Sequence, residues 1–238
     1  MTKNVFFLTL SLFVFDASVF SQTLDKIIDN YLSARGQSNF NELQTLVVKG
    51  EGTVINGNLK SDFKEYIKNP AKFRVDTFFD NMKHSVLYNN GKGGIISPFS
   101  GTNQKENFPD ISIDRIQSME KSDIQGLLFN WQKKCKQVKY EGKTTLNKNE
   151  LFKIRIITNS SDTLDYYIDT KNYLLQQVVY FLDFPDPTVV TYSNYKNIKG
   201  MQLPFEISQS NHAGCISKKE ISEYLINPVI EDSLFEFK

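Results

Sequence analysis

Cysteine is nearly absent from this sequence. Cys135 and Cys215 are the only two in 238 residues, there is no CxxC spacing, and the two histidines, His84 and His212, stand far apart. That scarcity excludes a zinc site built from local ligand pairs, and no other metal or cofactor is expected. For the two thiols, a Cys135–Cys215 disulfide and two separate free cysteines both stay open, because sequence spacing does not set the Cα separation that decides pairing. An excess of one charge sign is missing too. Lys and Arg total 28 against 27 Asp and Glu, for a net charge of +1. Nucleic acid is therefore not an expected partner, since its binding is dominated by phosphate neutralisation. There is no Pro-rich or Gly/Ser-rich linker, no long block of like charge and no internal repeat.

Long apolar runs are also lacking. The stretch from Val5 to Phe15 is shorter than the roughly 20 residues a helix needs to span a bilayer. It follows Lys3 and precedes smaller residues, the pattern of a secretory signal over residues 1–21 with cleavage after Ser21. No Cys stands at the cut, so a bacterial lipid anchor is not indicated. The expected product is an exported, soluble single domain, residues 22–238, acting as a monomer.

What is present is β pattern. Residues 22–36 read as an amphipathic helix, with Leu24, Ile27, Ile28, Tyr31 and Leu32 on one face and Gly36 as its stop. Strand patterns then run over 43–55, 58–68, 72–80 and 82–89, with turn signals at Asn56-Gly57, Asn69-Pro70 and Asn90-Gly91. More follow over 134–140, 150–158, 163–169, 173–182, 188–197, 202–209 and 215–226, giving roughly ten or eleven strands of a meandering antiparallel sheet. Helical spacing interrupts them between Asp110 and Trp131. Ile116 and Met119 suggest one short helix. Ser122 with Gln125 fits a capping box for a second, whose face would be Ile124, Leu127, Leu128 and Trp131.

Residues 163–184 pose the sharpest question. Leu164, Tyr166 and Ile168 alternate with Asp165, Tyr167 and Asp169. On the return, Leu174, Gln176, Val178 and Tyr180 share one face, and Leu175, Gln177, Val179 and Phe181 the other. An antiparallel sheet usually wets one face, yet this hairpin is apolar on both. Either both faces belong to a solid core, or the sheet curls around a hollow that helices only partly fill.

Motifs for catalysis fail on geometry. Ser61 and Lys64 match SxxK but lie in a strand pattern, where they point to opposite faces. Tyr192-Ser193-Asn194 matches YxN, yet Lys143-Thr144 precedes it and lacks the Gly that should follow. Asp183 and Asp186 could pair, but the flanking Pro185 and Pro187 make them a solvated turn. His84 reads as a rim residue and Trp131 as packing. Asn159-Ser160-Ser161 has only the form of a sequon. The chain is not expected to be an enzyme.

The order of several stretches resembles the LolA/LolB-like superfamily of periplasmic lipoprotein carriers. LDKIIDNYLSARG is similar to the opening helix, YIKNPAKFRVD to the first hairpin and its following strand, and YNNGKGGIISP to the turn and strand before the helical lid. The C-terminal half adds YYIDTKNYLLQQVVYF, YSNYKNIKGMQLPFEI and INPVIEDSLFEF, with Asp169, Tyr195, Gly200, Pro204, Asn227, Asp232 and Phe235 in the expected places. The resemblance implies a mainly β (α+β) fold: a half-open antiparallel β-barrel of about eleven strands whose concave face helices close. Two positions depart from it. Asn69 stands where carriers place an Arg that latches the lid, and Gly93, Gly94 and Ile95 occupy the region of a Trp usual after the Asn-Gly turn.

The function this implies is a non-catalytic carrier or sensor holding a lipid or acylated lipoprotein in an apolar cavity, within outer-membrane lipoprotein sorting. Its partners would be acyl chains and membrane-associated donor or acceptor proteins. The alternative is a periplasmic regulatory protein that uses the same fold to bind a protein partner. Expected lid residues are Ile116, Met119, Ile124, Leu127 and Leu128; expected sheet residues are Phe73, Val75, Tyr166, Ile168, Val178 and Tyr180.

Overall fold

Alternating patterns become thirteen strands in a computed structural model that describes residues 17–54, 58–80, 82–98, 104–181 and 186–236. They are β1 (Thr45–Val54), β2 (Leu59–Lys68), β3 (Lys72–Phe79), β4 (Met82–Asn89), β5 (Lys92–Ser97), β6 (Gln104–Asn107) and β7 (Cys135–Leu146). After these come β8 (Asn149–Thr158), β9 (Thr163–Asp169), β10 (Leu175–Phe181), β11 (Thr188–Ile198), β12 (Met201–Asn211) and β13 (Gly214–Ile226). All join one antiparallel sheet in the order β6-β5-β4-β3-β2-β1-β13-β12-β11-β10-β9-β8-β7. Strands β6 and β7 are its two edges and do not pair with each other, so the barrel stays open. Thirteen strands exceed the expected eleven. The two beyond the eleven are β5, anticipated only through the resemblance of YNNGKGGIISP, and β6, the polar tetrapeptide QKEN, which has no hydrophobic period to read.

Helix α1 (Ala17–Arg35) begins before the expected cleavage point after Ser21; residues 1–16 and the Asn56-Gly57 turn lie outside the described residues. Its buried Ile27, Ile28 and Tyr31 join Ile154, Ile156, Leu164, Ile168 and Val178 of the sheet in one core cluster. The helix stops at Gly36, whose φ of 82° is open to glycine at no steric cost. A one-turn helix α2 (Gln37–Phe40) follows. Helix α3 (Ile113–Ser122) lies across the same face of the sheet, against β2 to β5.

The second mid-chain helix does not form. Ser122 ends α3 instead of capping a new helix, and its hydroxyl donates to the Met119 carbonyl at 2.7 Å. Residues 124–130 are turns, with Gly126 at φ 80° and Asn130 at φ 51°, and only the single turn α4 (Trp131–Lys134) is helical. The apolar spacing of Ile124, Leu127 and Leu128 still buries them, but from a folded loop. Trp131 packs, partly buried, against the same cluster as α1.

The two apolar faces of residues 163–184 have different covers. Leu164, Tyr166, Ile168, Val178 and Tyr180 face the helices. On the outer face Asp165 is fully buried, accepting from Arg155 at 2.7 and 2.8 Å and pairing with Lys153 at 3.0 Å. The Arg155 guanidinium lies 5.5 Å from the Phe181 ring centre, and the Lys153 ammonium 5.9 Å from that of Tyr167. Long cationic side chains thus lie over the outer aromatics, with their charged ends fixed by one acid. Further along this face, Ile230 and Phe235 of the C-terminal segment pack on Val47, and Arg74 donates to the Leu234 carbonyl at 2.8 Å.

No disulfide forms. Cys135 is sealed in the core at the start of β7, where burial pushes its thiol up to about 11. Cys215 is exposed near the start of β13, with five strands between the two in the sheet order. The pairing of Ser61 and Lys64 fails as the strand pattern requires: in β2 Ser61 is buried and Lys64 exposed. Asp183 lies outside the described residues, and Asp186 pairs with His212 at 3.0 Å on the surface.

Gly36 has a second constraint. A Cβ there would lie 2.0 Å from the Gly200 carbonyl oxygen, a backbone atom that cannot step aside. Gly142, at φ 108°, has nothing within 4 Å of its would-be Cβ. Replacing Gly36 with Ala should therefore cost about 2–3 kcal/mol in urea unfolding, against about 1 kcal/mol for Gly142→Ala, where strain of the backbone acts alone. Equal losses at the two sites would refute the role of the α1–β12 contact.

Candidate functional site

The floor of the hollow is built by alternation and one irregularity. In β9, Leu164, Tyr166 and Ile168 point inward. In β10 a bulge lies between Leu175 and Gln177, so that Leu175 pairs with Ile168 while Val178 pairs with Tyr166. The extra residue turns Leu175, rather than Gln176, onto the face of Val178 and Tyr180. The Tyr195 hydroxyl from β11 donates to the Leu175 carbonyl at 2.6 Å, in the bulge itself.

The expected lid and sheet residues all reach this face, in two adjoining clusters. Ile116, Leu127, Leu128, Tyr166, Ile168, Val178 and Tyr180 are in the first, and Phe73 and Ile124 in the second, with Val75 and Met119 partly buried against it. Leu128 is 1% exposed and Tyr180 2%, so with the lid in this position the floor is filled by the protein's own side chains.

The hollow also holds charges that the sequence pattern did not single out. Glu120 and Lys121 of α3, Glu65 of β2 and Lys219 of β13 all point into it. Tyr166 and Tyr180 each donate a hydroxyl hydrogen bond to a different oxygen of Glu120. Burial pushes the Glu120 carboxyl up, and it pushes the Tyr166, Tyr180, Tyr192 and Tyr195 hydroxyls well up, which keeps them protonated donors. Lys219 pairs with Glu65 at 2.5 Å, and Lys121 stands 3.8 Å from the same carboxylate. Burial would push Glu65 up, but these two ammonium groups outweigh it and hold Glu65 at about 2. Burial pushes Lys121 down. One signal was available for Glu120: it sits four residues after Ile116, on the same face of α3. Glu65 likewise sits between Phe63 and Ile67 at the strand period.

Side-chain contacts to backbone pin the lid. Arg35 at the end of α1 donates to the carbonyls of Gln125 at 2.9 Å and Ile124 at 3.4 Å, and its guanidinium lies 4.0 Å from the Phe40 ring centre. Lys134 donates to the Gly126 carbonyl at 2.8 Å and pairs with Asp123 at 2.5 Å. Arg115 of α3 reaches Asp162, in the turn after β8, at 2.8 Å. Asn69, by contrast, donates to the Leu43 carbonyl at 2.9 Å and ties down the chain after α2, not the lid. His84 of β4 is half-buried, where burial pushes its pKa down against the charge of Asp114 in α3.

Two cavities flank the lid. The larger, about 460 Å³, opens between the Asn69–Ala71 turn and the Thr158–Ser160 turn, with Met119, Gln125 and Leu127 on its inner wall. The smaller, about 180 Å³, lies on the other side of the lid among Tyr31, Arg35, Glu120, Lys121, Tyr192 and Tyr195. An open, thirteen-stranded antiparallel sheet with helices folded over one face matches solved structures along nearly its whole length. A LolA superfamily protein from Nitrosomonas europaea superposes with a TM-score of 0.57 at 11% identity, over 89% of this chain and 96% of that one. The fold is LolA-like.

Two further matches have the same fold over nearly the whole chain. A domain described as an outer membrane lipoprotein-sorting protein from Vibrio parahaemolyticus gives a TM-score of 0.59 at 12% identity, covering 88% of this chain and 94% of that chain. A DUF1329 family protein from Desulfovibrio piger ATCC 29098 gives 0.60 at 11% identity, covering 90% and 97%. At the level of sequence, no protein-family model matches the chain and no curated protein is detectably similar to it.

The two buried acids bias stability with opposite signs. Glu65 has its folded pKa lowered, so its contribution is fully present above about 4.5 and is lost as pH falls toward about 2. That window is worth about 3 kcal/mol, and it should be missing from the urea-unfolding profile of Glu65→Gln measured between pH 5 and 2. Glu120 has its folded pKa raised, so its contribution is present at low pH and lost as pH rises through that value. Glu120→Gln should accordingly gain on the wild type as pH rises from 4.5 to 8. A wild-type-like profile for either variant would count against its placement in the hollow.

Proposed function

We propose that this chain is an exported, periplasmic carrier or sensor, without catalysis, that holds a lipid or an acylated protein between the sheet and its lid. One observation carries the reading. The apolar inner face of an unclosed sheet is covered by a ten-residue helix and a loop that are pinned at their margins by side-chain contacts. Such a cover can be exchanged for another apolar body. An acyl chain gains about 0.8 kcal/mol per buried methylene, and the lid loses about 1.5–3 kcal/mol for each buried Leu or Ile it withdraws, so a long chain can offset the exchange. The ligand-facing residues are then Phe73, Val75, Tyr166, Ile168, Val178 and Tyr180 on the floor, with Ile116, Met119, Ile124, Leu127 and Leu128 as the displaced cover.

Support for export comes from the sequence of residues 1–21; among the described residues no helix is long and apolar enough to cross a membrane. Support for a sorting or carrier role comes from the LolA-like fold. The chain would act as a monomer, taking its cargo from and giving it to membrane-associated proteins.

The test is native mass spectrometry of protein exported by cells and purified without detergent, followed by organic extraction. A defined added mass that extracts as lipid or acyl chain is the expected result. A clean apo mass that persists after incubation with envelope lipids and lipopeptides would overturn the reading. The lid is best probed at Met119, which lines the larger cavity and is only partly buried. Leu127 and Leu128 are too deeply buried for Asp there to leave folding intact. Met119→Asp should fold and lose about tenfold in lipid occupancy, the effect of withdrawing one apolar contact and adding a charge at the mouth.

A further inference from the structure

Tyr166 and Tyr180 put two hydroxyls among the apolar inward side chains of β8, β9 and β10. Their neighbours Ile154, Leu164, Ile168 and Val178 are all 0% exposed. A hydroxyl buried in such surroundings needs a partner, because leaving it unpaired costs about 1–3 kcal/mol. Both hydroxyls come from adjacent strands and converge on one carboxylate, one on each oxygen. The acceptor belongs to the lid, not to the sheet. Whenever α3 lifts, Glu120 leaves with it and two oriented donors remain on the floor.

Charge around the site indicates what could replace it. Arg35 and Lys121 line the same 180 Å³ space as Glu120. Arg35 spends two of its N–H groups on the lid carbonyls of Ile124 and Gln125, and those donors too are released when the lid moves. Donor hydroxyls beside a guanidinium suit an oxygen acceptor and oppose an ammonium. The space equals the liquid volume of about six waters, enough for a carboxylate or an ester group but not for a chain. A chain attached to that group would meet the apolar cluster that holds Ile168 and Val178 of the floor with Leu127 and Leu128 of the lid.

We propose that Tyr166 and Tyr180 form the head-end subsite for an acyl ligand, receiving the oxygens of its carboxylate or ester, and that Glu120 fills this subsite as an internal stand-in while the lid is down. The proposal rests on the lipid-binding reading of the hollow and adds to it the chemistry of the ligand's polar end. Ligand and Glu120 compete for the same two hydrogen atoms, so occupation of the floor and lifting of α3 become one event.

Isothermal titration of the delipidated protein with palmitate, methyl palmitate and hexadecylamine tests this. Palmitate and its ester should bind, and the amine should bind at least about tenfold more weakly, the cost of one or two lost charge-assisted hydrogen bonds. Tyr166→Phe with Tyr180→Phe should bring palmitate down to the level of the amine. Glu120→Ala should tighten palmitate and ester about tenfold, because the competing acceptor is gone. Should the double variant lose its circular dichroism signature, Tyr180→Phe alone carries the same expectation at about half the effect in free energy. Stronger binding of palmitate assigns the subsite to a free fatty acid, and equal or stronger binding of the ester assigns it to an acyl group in ester linkage. Equal binding of all three ligands, in wild type and Tyr variants alike, would overturn the subsite and leave the hollow a lipid site. Failure of all three to bind wild type and Glu120→Ala would overturn both readings.

Discussion

An antiparallel sheet that does not close has two faces and two edges to protect, and every other part of this molecule answers that requirement. Closed barrels abolish edges, but here β6 and β7 stay apart. The consequence is a curved surface whose inner side is too broad for one helix. Helix α1 covers the end formed by β7 to β12, helix α3 covers β2 to β5, and the turn segment between Asp123 and Asn130 joins the two. The outer side is protected more thinly, by a buried aspartate holding two long cations over aromatic rings and by the C-terminal segment around Phe235. The two apolar faces of one hairpin therefore have separate causes.

The inner cover differs from an ordinary core in how it is held. A core helix is usually kept in place by the apolar surface it buries. This lid buries apolar surface but also carries a carboxylate and an ammonium group inward, to tyrosines and to a second acid. Removing either partner of a buried charged pair is costly, whereas exchanging the whole cover for one that satisfies the same donors is not. That asymmetry favours two discrete arrangements over a gradual loosening. It also gives the hollow a selectivity that apolar surface alone cannot provide.

Much of this was legible in the sequence, and the gaps have physical causes. Most strands with a two-residue period appeared within about two residues of their expected bounds, though β7 runs six residues past 140; the helix around Ile116 and Met119 and the stop at Gly36 were also expected. Strand β6 was invisible because four polar residues at an edge need no apolar face. The lid loop read as a helix because Ile124, Leu127 and Leu128 repeat at helical spacing, while the left-handed positions at Gly126 and Asn130 that break the helix contribute no hydrophobic signal. A cystine between Cys135 and Cys215 was compatible with composition and is absent from the fold. The inward tyrosines were read as apolar surface, and Glu120 was not singled out. Glu120 lies one turn of α3 after the buried Ile116, and an acid four residues on from an apolar neighbour in one helix points where that neighbour points.

The bulge in β10 gives the inner surface an arithmetic of its own. Side chains on a strand have even or odd parity, and one inserted residue exchanges them from that point on. Between Leu175 and Gln177 this exchange happens once, so Gln176 is inward only on paper, while Leu175 is inward in fact. The lining of the hollow is thus encoded in two phases, joined at a carbonyl that Tyr195 clasps. Deleting the Leu175 codon, unlike almost any substitution, would re-pair the strand in one phase and put Gln176 on the inner wall where Leu175 stands. The composition of the chamber hangs on strand length as much as on residue identity.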